Sequence, residues 1–417
     1  MKIGFLSVFN FGTNIGGVEN HIYFMARALQ RRGHQIVVFQ PVESRNPKNQ
    51  TKTVNGIEIR YIGIKSFALV KLLNRFNGFR LIGYGTAFLN KAKFILYRRR
   101  IVREVLAAKP DIIHQHDFIS NIFSTRRLSK KIPCVLTNHT GEYLFFQKTK
   151  FGRFFLRRLL RHFKYIIGPS EELTPFDYSK NSCTIHNGVD LNLFNNNYNQ
   201  DQVRRKYDFS SDQFIAFCPR RWAPTKGVLF LVKAIQKICL VRNIKFLFAG
   251  SDYDGYPKYR KEIMKNINQI DSNGNISLLG NLSISEIVDY YRLADVVIIP
   301  SLMEAVSLAA IEAMACGTPV ISTNVGGMPE LISDGVNGLL VEPADPSKLA
   351  EAIIRLNDDK KLYDKLVRKS LATAERYSWD YIAGKTEEIY KLALNKSPKS
   401  KISAAQPPKI KEKIEAE

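Results

Sequence analysis

The stretch KIGFLSVFNFGTNIGGVENHIYFMARALQRRGHQIVVFQP (Lys2–Pro41) decides the fold. KIGFLSVF is an apolar run of strand length, and NFGTNIGG reads as a loop. From Val18 onward apolar residues recur at helical spacing, the last turn is basic, and Gly33 supplies a stop. QIVVFQP is a second apolar strand. Strand, helix and strand in this order form a βαβ unit, which implies a parallel sheet covered on both faces.

The pattern continues in PDIIHQHD (110–117), PCVLTNHT (133–140) and KYIIGPSEEL (164–173), each a short apolar run that turns polar at its end. Chemistry in open α/β sheets collects at the carboxyl ends of strands, where His114, His116, His139 and Ser170 stand. The asparagine-rich NGVDLNLFNNNYNQDQ (187–202) lacks helical period and reads as a linker. A second set of strands follows in FIAFCPR, KFLFAGS, ISLLGN, DVVIIPS, PVISTN and GLLVEP, with helical segments such as GVLFLVKAIQKI and SISEIVDYYRLA between them. The expected architecture is α/β, two Rossmann-like domains facing a central cleft. The expected boundaries are 1–190, 191–376, a terminal helix over 377–394 packing back toward the first domain, and a disordered basic tail over 395–417.

The 417 residues are ample for two such domains, and 45% apolar with 24% charged content is ordinary for a globular chain. The charge is not: 62 basic against 38 acidic residues give +24, which favours an anionic surface, substrate or polymer. Five scattered cysteines lack metal-ligand spacing and read as reduced core thiols in a cytosolic setting. No window is long and apolar enough to span a bilayer.

In MEAVSLAAIEAMACG (Met303–Gly317) two glutamates, Glu304 and Glu312, flank a small apolar run that reads as a helix starting near Glu304. Its first amides, near Val306, Ser307 and Leu308, form a site suited to an anion. Glu312 suits ribose hydroxyls and Glu304 sugar hydroxyls. The plain alternative is that Glu304 caps the helix and Glu312 pairs with a nearby base. RRWAPTKG (220–227) follows the first strand of the second half; its Arg221 and Lys226 suit a diphosphate, or else a solvated surface. Gly16 and Gly17 allow close backbone approach to a ligand, although the full G-x-G-x-x-G pattern is absent.

Taken in order, IGGVE, NHT, NGVD, RRWAPTKG, PSLMEAVSLAAIEAMACGTPVI and GGMPELI resemble the retaining GT-B glycosyltransferases of family 4 (glycosyltransferase group 1), over roughly residues 1–394. The opening GGVENHIYFMARALQRRGH is also similar to GlcNAc and mannosyl transferases acting on phosphatidylinositol. The resemblance implies that Arg221 and Lys226 hold the donor diphosphate and that Gly16 and Gly17 close over it. It implies ribose contact by Glu312. Glu304, with Ala305, Val306, Ser307 and Leu308, would read the donor sugar, and His139 would face the reacting centre. The base would meet the backbone at Leu279 and Gly280. His139, Glu304, Arg221 and Lys226 are then the catalytic set. No metal or cofactor is implied, and the co-substrate is a UDP- or GDP-linked sugar. Family members often carry an aromatic residue between small ones after the first glutamate. Here Ala305-Val306-Ser307 stands in that place, and β-branched Val306 is expected to reshape the pocket.

His114 and His116 share a strand face, which would suit a metal, but no third ligand at convincing spacing accompanies them and Asp117 is a weak candidate. Residues 65–103 contain ten basic and no acidic side chains among aromatic and aliphatic ones, and 151–164 (FGRFFLRRLLRHFK) is similar. Such composition suits peripheral contact with an anionic membrane on the cytosolic face, or else a solvated basic face. Nucleic-acid signatures are absent, so nucleic acid is not expected as a partner. The expected acceptor is a lipid-linked or surface glycan. The rival functions are a sugar-nucleotide epimerase on the same fold and a non-enzymatic polyanion-binding protein.

Overall fold

The computed structural model describes residues 1–394 except 13–16, 45, 66–79, 117–118, 140–141, 240, 252–254 and 271–273; side chains at 80–93, 142 and 145 also lie outside the description. The expected tail over 395–417, Gly16, Asp117 and much of the basic stretch 65–103 therefore fall outside the described residues. The chain forms two compact units. One comprises Met1–His186 with the terminal helix Trp379–Leu394, and the other comprises Asn187–Ser378.

The first unit is an eight-stranded sheet ordered β3-β4-β2-β1-β5-β6-β7-β8. Its strands are β1 (Lys2–Leu6), β2 (Gln35–Ser44), β3 (Gln50–Val54), β4 (Ile57–Lys65), β5 (Ile112–Gln115), β6 (Cys134–Thr137), β7 (Tyr165–Gly168) and β8 (Ser182–Thr184). All pairings are parallel except β3 with β4, an antiparallel edge hairpin. That hairpin departs from the wholly parallel expectation. Its cause is Asn55–Gly56, whose positive φ angles of 50° and 76° make the tight turn such a dipeptide favours.

The terminal helix is held to the first helix, Gly17–Arg31, and the residue after it. Arg31 meets Asp380 at 3.1 Å and Arg32 meets Glu387 at 2.8 Å. Hydrogen bonding from Lys391 and Arg32 holds the Glu387 carboxyl down at about 2. Tyr390 buries its ring and places its hydroxyl 2.6 Å from His114 Nδ1.

The second unit is a six-stranded parallel sheet ordered β11-β10-β9-β12-β13-β14. Its strands are β9 (Phe214–Pro219), β10 (Ile244–Ala249), β11 (Ile276–Gly280), β12 (Val296–Ile299), β13 (Val320–Thr323) and β14 (Leu339–Val341). The order reverses between β9 and β12, and ligands in such sheets bind beyond the strand ends at this switch point. The helix Val228–Ile238 packs one sheet face through Val228, Leu231, Val232 and Ile235; Leu308–Ala315 packs the other through Ala310, Ile311 and Met314.

The asparagine-rich stretch is not a free linker. Val189 and Phe194 sit in the second core, and Tyr198 donates to the Cys316 carbonyl at 2.9 Å. The asparagines serve local turns and caps: Asn199 caps the helix Gln200–Lys206, and Asn195 Nδ2 donates to the Asn192 carbonyl. The five cysteines are free thiols.

Candidate active site

The loops after β9 and β12 meet at the switch point of the second unit. Gly227 makes this possible. Its φ is +64°, and a Cβ there would lie 1.8 Å from the Pro300 carbonyl oxygen. The Leu302 and Met303 amides both donate to the Thr225 carbonyl, at 2.8 and 3.3 Å. Gly250, with φ +80°, lets the end of β10 pass against the backbone of Arg220 and Arg221. Three loops are thereby pressed together, and their polar side chains converge.

Arg220 is the centre of the cluster. It is buried, and its guanidinium bonds Glu304, Ser301 Oγ at 3.1 Å and Ser307 Oγ at 3.2 Å. Lys226 Nζ donates to Glu304 Oε2 at 2.9 Å, and Ser301 Oγ donates to the same oxygen at 3.1 Å. Burial first, then Arg220 and Arg221, push the Lys226 ammonium down to about 6. Arg220 and Lys226 share one carboxylate, so protonation of Lys226 leaves excess positive charge, which suits a polyvalent anion.

The sequence reading assigned Arg221 to the donor diphosphate. Arg221 is exposed on the loop after β9, open to a ligand, and its neighbour Arg220 turns inward to Glu304. Two consecutive arginines at a strand end signal a guanidinium there, but not which one faces the cluster. Glu304 likewise does not lie on a helix. The helix is Leu308–Ala315 with Ser307 at its N-cap position, and Glu304 lies in the preceding loop, tied to the two cations. The small, bent MEAVS segment follows the Thr225 carbonyl rather than starting helical bonds.

Ala305, Val306 and Ser307 link this loop to the helix. Val306 points its side chain into the core instead of reshaping a pocket, and its carbonyl accepts from Asn187 Nδ2 at 3.2 Å. Glu312 sits within the helix and accepts from Tyr291 at 2.8 Å, not from a base. Burial raises its carboxyl to about 7 against the opposing effects of Tyr291 and Arg220. Leu279 and Gly280 end β11, where the Gly280 amide donates to Ser251 Oγ at 3.1 Å. The second unit therefore brings Lys226 and Glu304 together with Arg220, places Glu312 within electrostatic reach of Arg220, and sets Ser307 and Leu308 at a helix start.

Gly17 and His139 belong to the first unit. Gly17 opens the helix Gly17–Arg31. His139 follows β6 and lies 3.2 Å, nitrogen to nitrogen, from His116. His114 is satisfied on both nitrogens, by Tyr390 and by Thr137 Oγ1 at 2.7 Å.

Comparisons with known proteins identify the family and the fold. Residues 199–372 match the family described as glycosyl transferases group 1, and residues 15–193 match glycosyltransferase family 4. An uncharacterized glycosyltransferase of Methanocaldococcus jannaschii is 26% identical over 385 residues, covering 90% of this chain and 94% of that protein. D-inositol 3-phosphate glycosyltransferase 1 of Catenulispora acidiphila is 30% identical over 216 residues, 51% of each chain. Among solved structures, sucrose-phosphate synthase from Thermosynechococcus elongatus superimposes with a TM-score of 0.73 at 22% identity, covering 94% of this chain and 98% of that one. Anabaena HepE, solved with UDP and glucose, gives 0.71 at 19% identity over 94% of this chain and 100% of its own. With both halves matched in order and the fold shared, the chain belongs to the GT-B glycosyltransferases of group 1.

Proposed function

We propose that the chain moves a hexose from a UDP- or GDP-linked sugar to a lipid-linked or surface-glycan acceptor at the cytosolic face of a membrane, with retention and without a metal on the diphosphate. The observation that carries this reading is the buried Arg220–Glu304–Lys226 cluster at the strand-order reversal of the second unit. The donor diphosphate takes Arg220 and Lys226 from Glu304, and Glu304 is released toward the sugar hydroxyls. Glu312 accepts from the ribose.

As the bond between the anomeric carbon and the phosphate oxygen breaks, the two cations and the start of the helix Leu308–Ala315 stabilise the negative charge left on the diphosphate. The acceptor hydroxyl oxygen bonds to the anomeric carbon from the same face, and its proton passes to the departing phosphate oxygen. UDP in Anabaena HepE supports the donor class, and the name of a Salmonella typhimurium relative, lipopolysaccharide 1,2-N-acetylglucosaminetransferase, supports a glycan acceptor.

The helix Lys150–Leu160 supports a membrane site. It buries Leu156, Leu159 and Leu160, while Phe151 and Phe154 are 79% and 64% exposed beside Arg153, Arg157 and Arg158. Aromatic rings flanked by guanidiniums on one exposed face suit an anionic lipid interface. Among the described residues no helix is long and apolar enough to cross a bilayer.

The test is donor turnover by purified protein across UDP- and GDP-sugars, with and without acceptor. Lys226→Ala is expected to lower turnover by about 10²–10³-fold, the size of losing one charge-stabilising donor. Glu312→Ala is expected to weaken donor binding. Wild-type values in both variants overturn the assignment, and an isomerised sugar nucleotide formed without acceptor indicates an epimerase.

A further inference from the structure

In the second unit the Glu312 side chain is held by a single phenol. Tyr291, on the helix Ile284–Leu293, donates its hydroxyl to Glu312 Oε2 at 2.8 Å. Among the described residues no hydrogen bond reaches Oε1, so the phenol ties down one oxygen and leaves the other for a ligand. Glu312 is only partly buried, so a ligand can reach it.

Tyr291 is fixed from several sides. It is fully buried, and its ring packs edge-on against Phe194 and Phe217, with centroids 5.9 and 5.7 Å away. Its main-chain carbonyl accepts from Thr318 Oγ1 at 2.6 Å. Burial, and then the nearby carboxylate, hold the phenol well above its ordinary range, so it stays a donor. Glu312 is less settled. Burial lifts its carboxyl to about 7, against the bond from Tyr291 and the charge of Arg220. A carboxyl at that value is half charged at neutral pH, and the charged form is the stronger acceptor for hydroxyls. The other titratable groups facing it are Arg220, from the end of β9, and the Cys316 thiol. Arg220 stays charged, and burial pushes Cys316 up to about 12, so neither changes charge near neutral pH.

We propose that Tyr291 is a positioning residue for donor binding: its hydroxyl aims the Glu312 carboxylate at the ribose and keeps it charged at neutral pH. The inference rests on the transfer reading, in which Glu312 accepts from the ribose. A donor on one oxygen favours the ionised acid and selects one rotamer of a flexible side chain, so the free oxygen is presented in a fixed direction. Tyr291→Phe keeps the ring packing and removes only that bond. A hydrogen bond to a charged group is worth at least about one pH unit in the titration of the acid. Glu312 then moves from about 7 to about 8 or higher, and is mostly neutral at pH 7.

The test is titration calorimetry of the full chain, wild type and Tyr291→Phe, with UDP and GDP across about pH 6–9. The 2′,3′-dideoxy nucleotides and pyrophosphate serve as ligands without the ribose hydroxyls. Lys226 titrates in the same range, but its effect is common to both proteins, so the ratio of their Kd values isolates Glu312. The variant is expected to bind UDP or GDP about tenfold more weakly at pH 6 and about fivefold at pH 7, with the gap closed by about pH 9. Dideoxy nucleotides and pyrophosphate should bind both proteins alike. Tyr290→Phe, whose ring packs on the same Phe217, should bind as wild type does. If Tyr291→Phe fails to fold, Tyr291→Met fills the space with an unbranched side chain and carries the same expectations. A ratio under about twofold at every pH, an offset that does not change with pH, or an equal loss with the dideoxy nucleotides overturns the proposal. If wild type binds neither UDP nor GDP, or Glu312→Ala binds as wild type does, the donor reading has failed and this inference falls with it. A weakened Glu312→Ala beside an unchanged Tyr291→Phe overturns this inference alone.

Discussion

Removing the carboxylate at the centre of the cation cluster gives a measurable consequence in both stability and ligand affinity. In Glu304→Ala, Arg220 remains buried and loses the carboxylate it bonds, while Lys226 loses its acceptor. Breaking one side of a buried ion pair costs about 3–5 kcal/mol. Arg220 keeps Ser301 and Ser307 at 3.1 and 3.2 Å, which places the loss at the lower end, about 3 kcal/mol. For a unit of this size each kcal/mol lowers Tm by about 2–4 °C, so the second unit should melt about 6–12 °C lower.

The released cations should then welcome an anion. Pyrophosphate at a hundred times its Kd returns about 2.7 kcal/mol, which recovers most of the lost Tm. The assay is calorimetric melting of wild type, Glu304→Ala and Arg220→Met/Glu304→Ala, each with and without pyrophosphate. The double variant should be more stable than Glu304→Ala, because no lone charge is left buried. A Tm change under about 2 °C in folded Glu304→Ala, or no recovery with pyrophosphate, refutes the reasoning.

Lys226, lowered to about 6, is largely uncharged at neutral pH in the ligand-free protein, and a bound diphosphate restores its charge. Titration calorimetry in buffers of different ionisation enthalpy should show proton uptake, and affinity should rise as pH falls from about 8 to about 6; Lys226→Met should abolish the uptake. In the same window the sign for folding is reversed. The unfolded lysine holds a proton up to its ordinary pKa, so the stability lost at this residue is regained as pH rises above about 6. Gly227→Ala forces a side chain against the Pro300 carbonyl at a positive φ and should cost about 2–5 kcal/mol, measured by denaturant midpoint. Phe151→Ser/Phe154→Ser should leave Tm unchanged but weaken binding to anionic vesicles by about 10–100-fold in a flotation assay, as expected when two partly inserted rings are lost.

Lys2–Pro41 determined the fold class by itself, because one strand–helix–strand unit permits few solutions and its apolar periods are local. The same holds for the strand ends that carry His114, His116, His139 and Lys226. The Asn55–Gly56 hairpin was missed in the sequence, because β3 is too polar to stand out as a strand even though the turn dipeptide is local. What only the tertiary structure decided are the partnerships. Strand register and the contact of Gly227 with Pro300 turn Arg220 inward, leave Arg221 exposed, and set Glu304 before the helix against Arg220 and Lys226. His21 lies far along the chain from His116 and His139, yet the first helix and the ends of the neighbouring strands β5 and β6 bring their nitrogens within 4.8 Å. Neither arrangement has a sequence spacing, because each is set by how parallel strands from distant segments are ordered in the sheet.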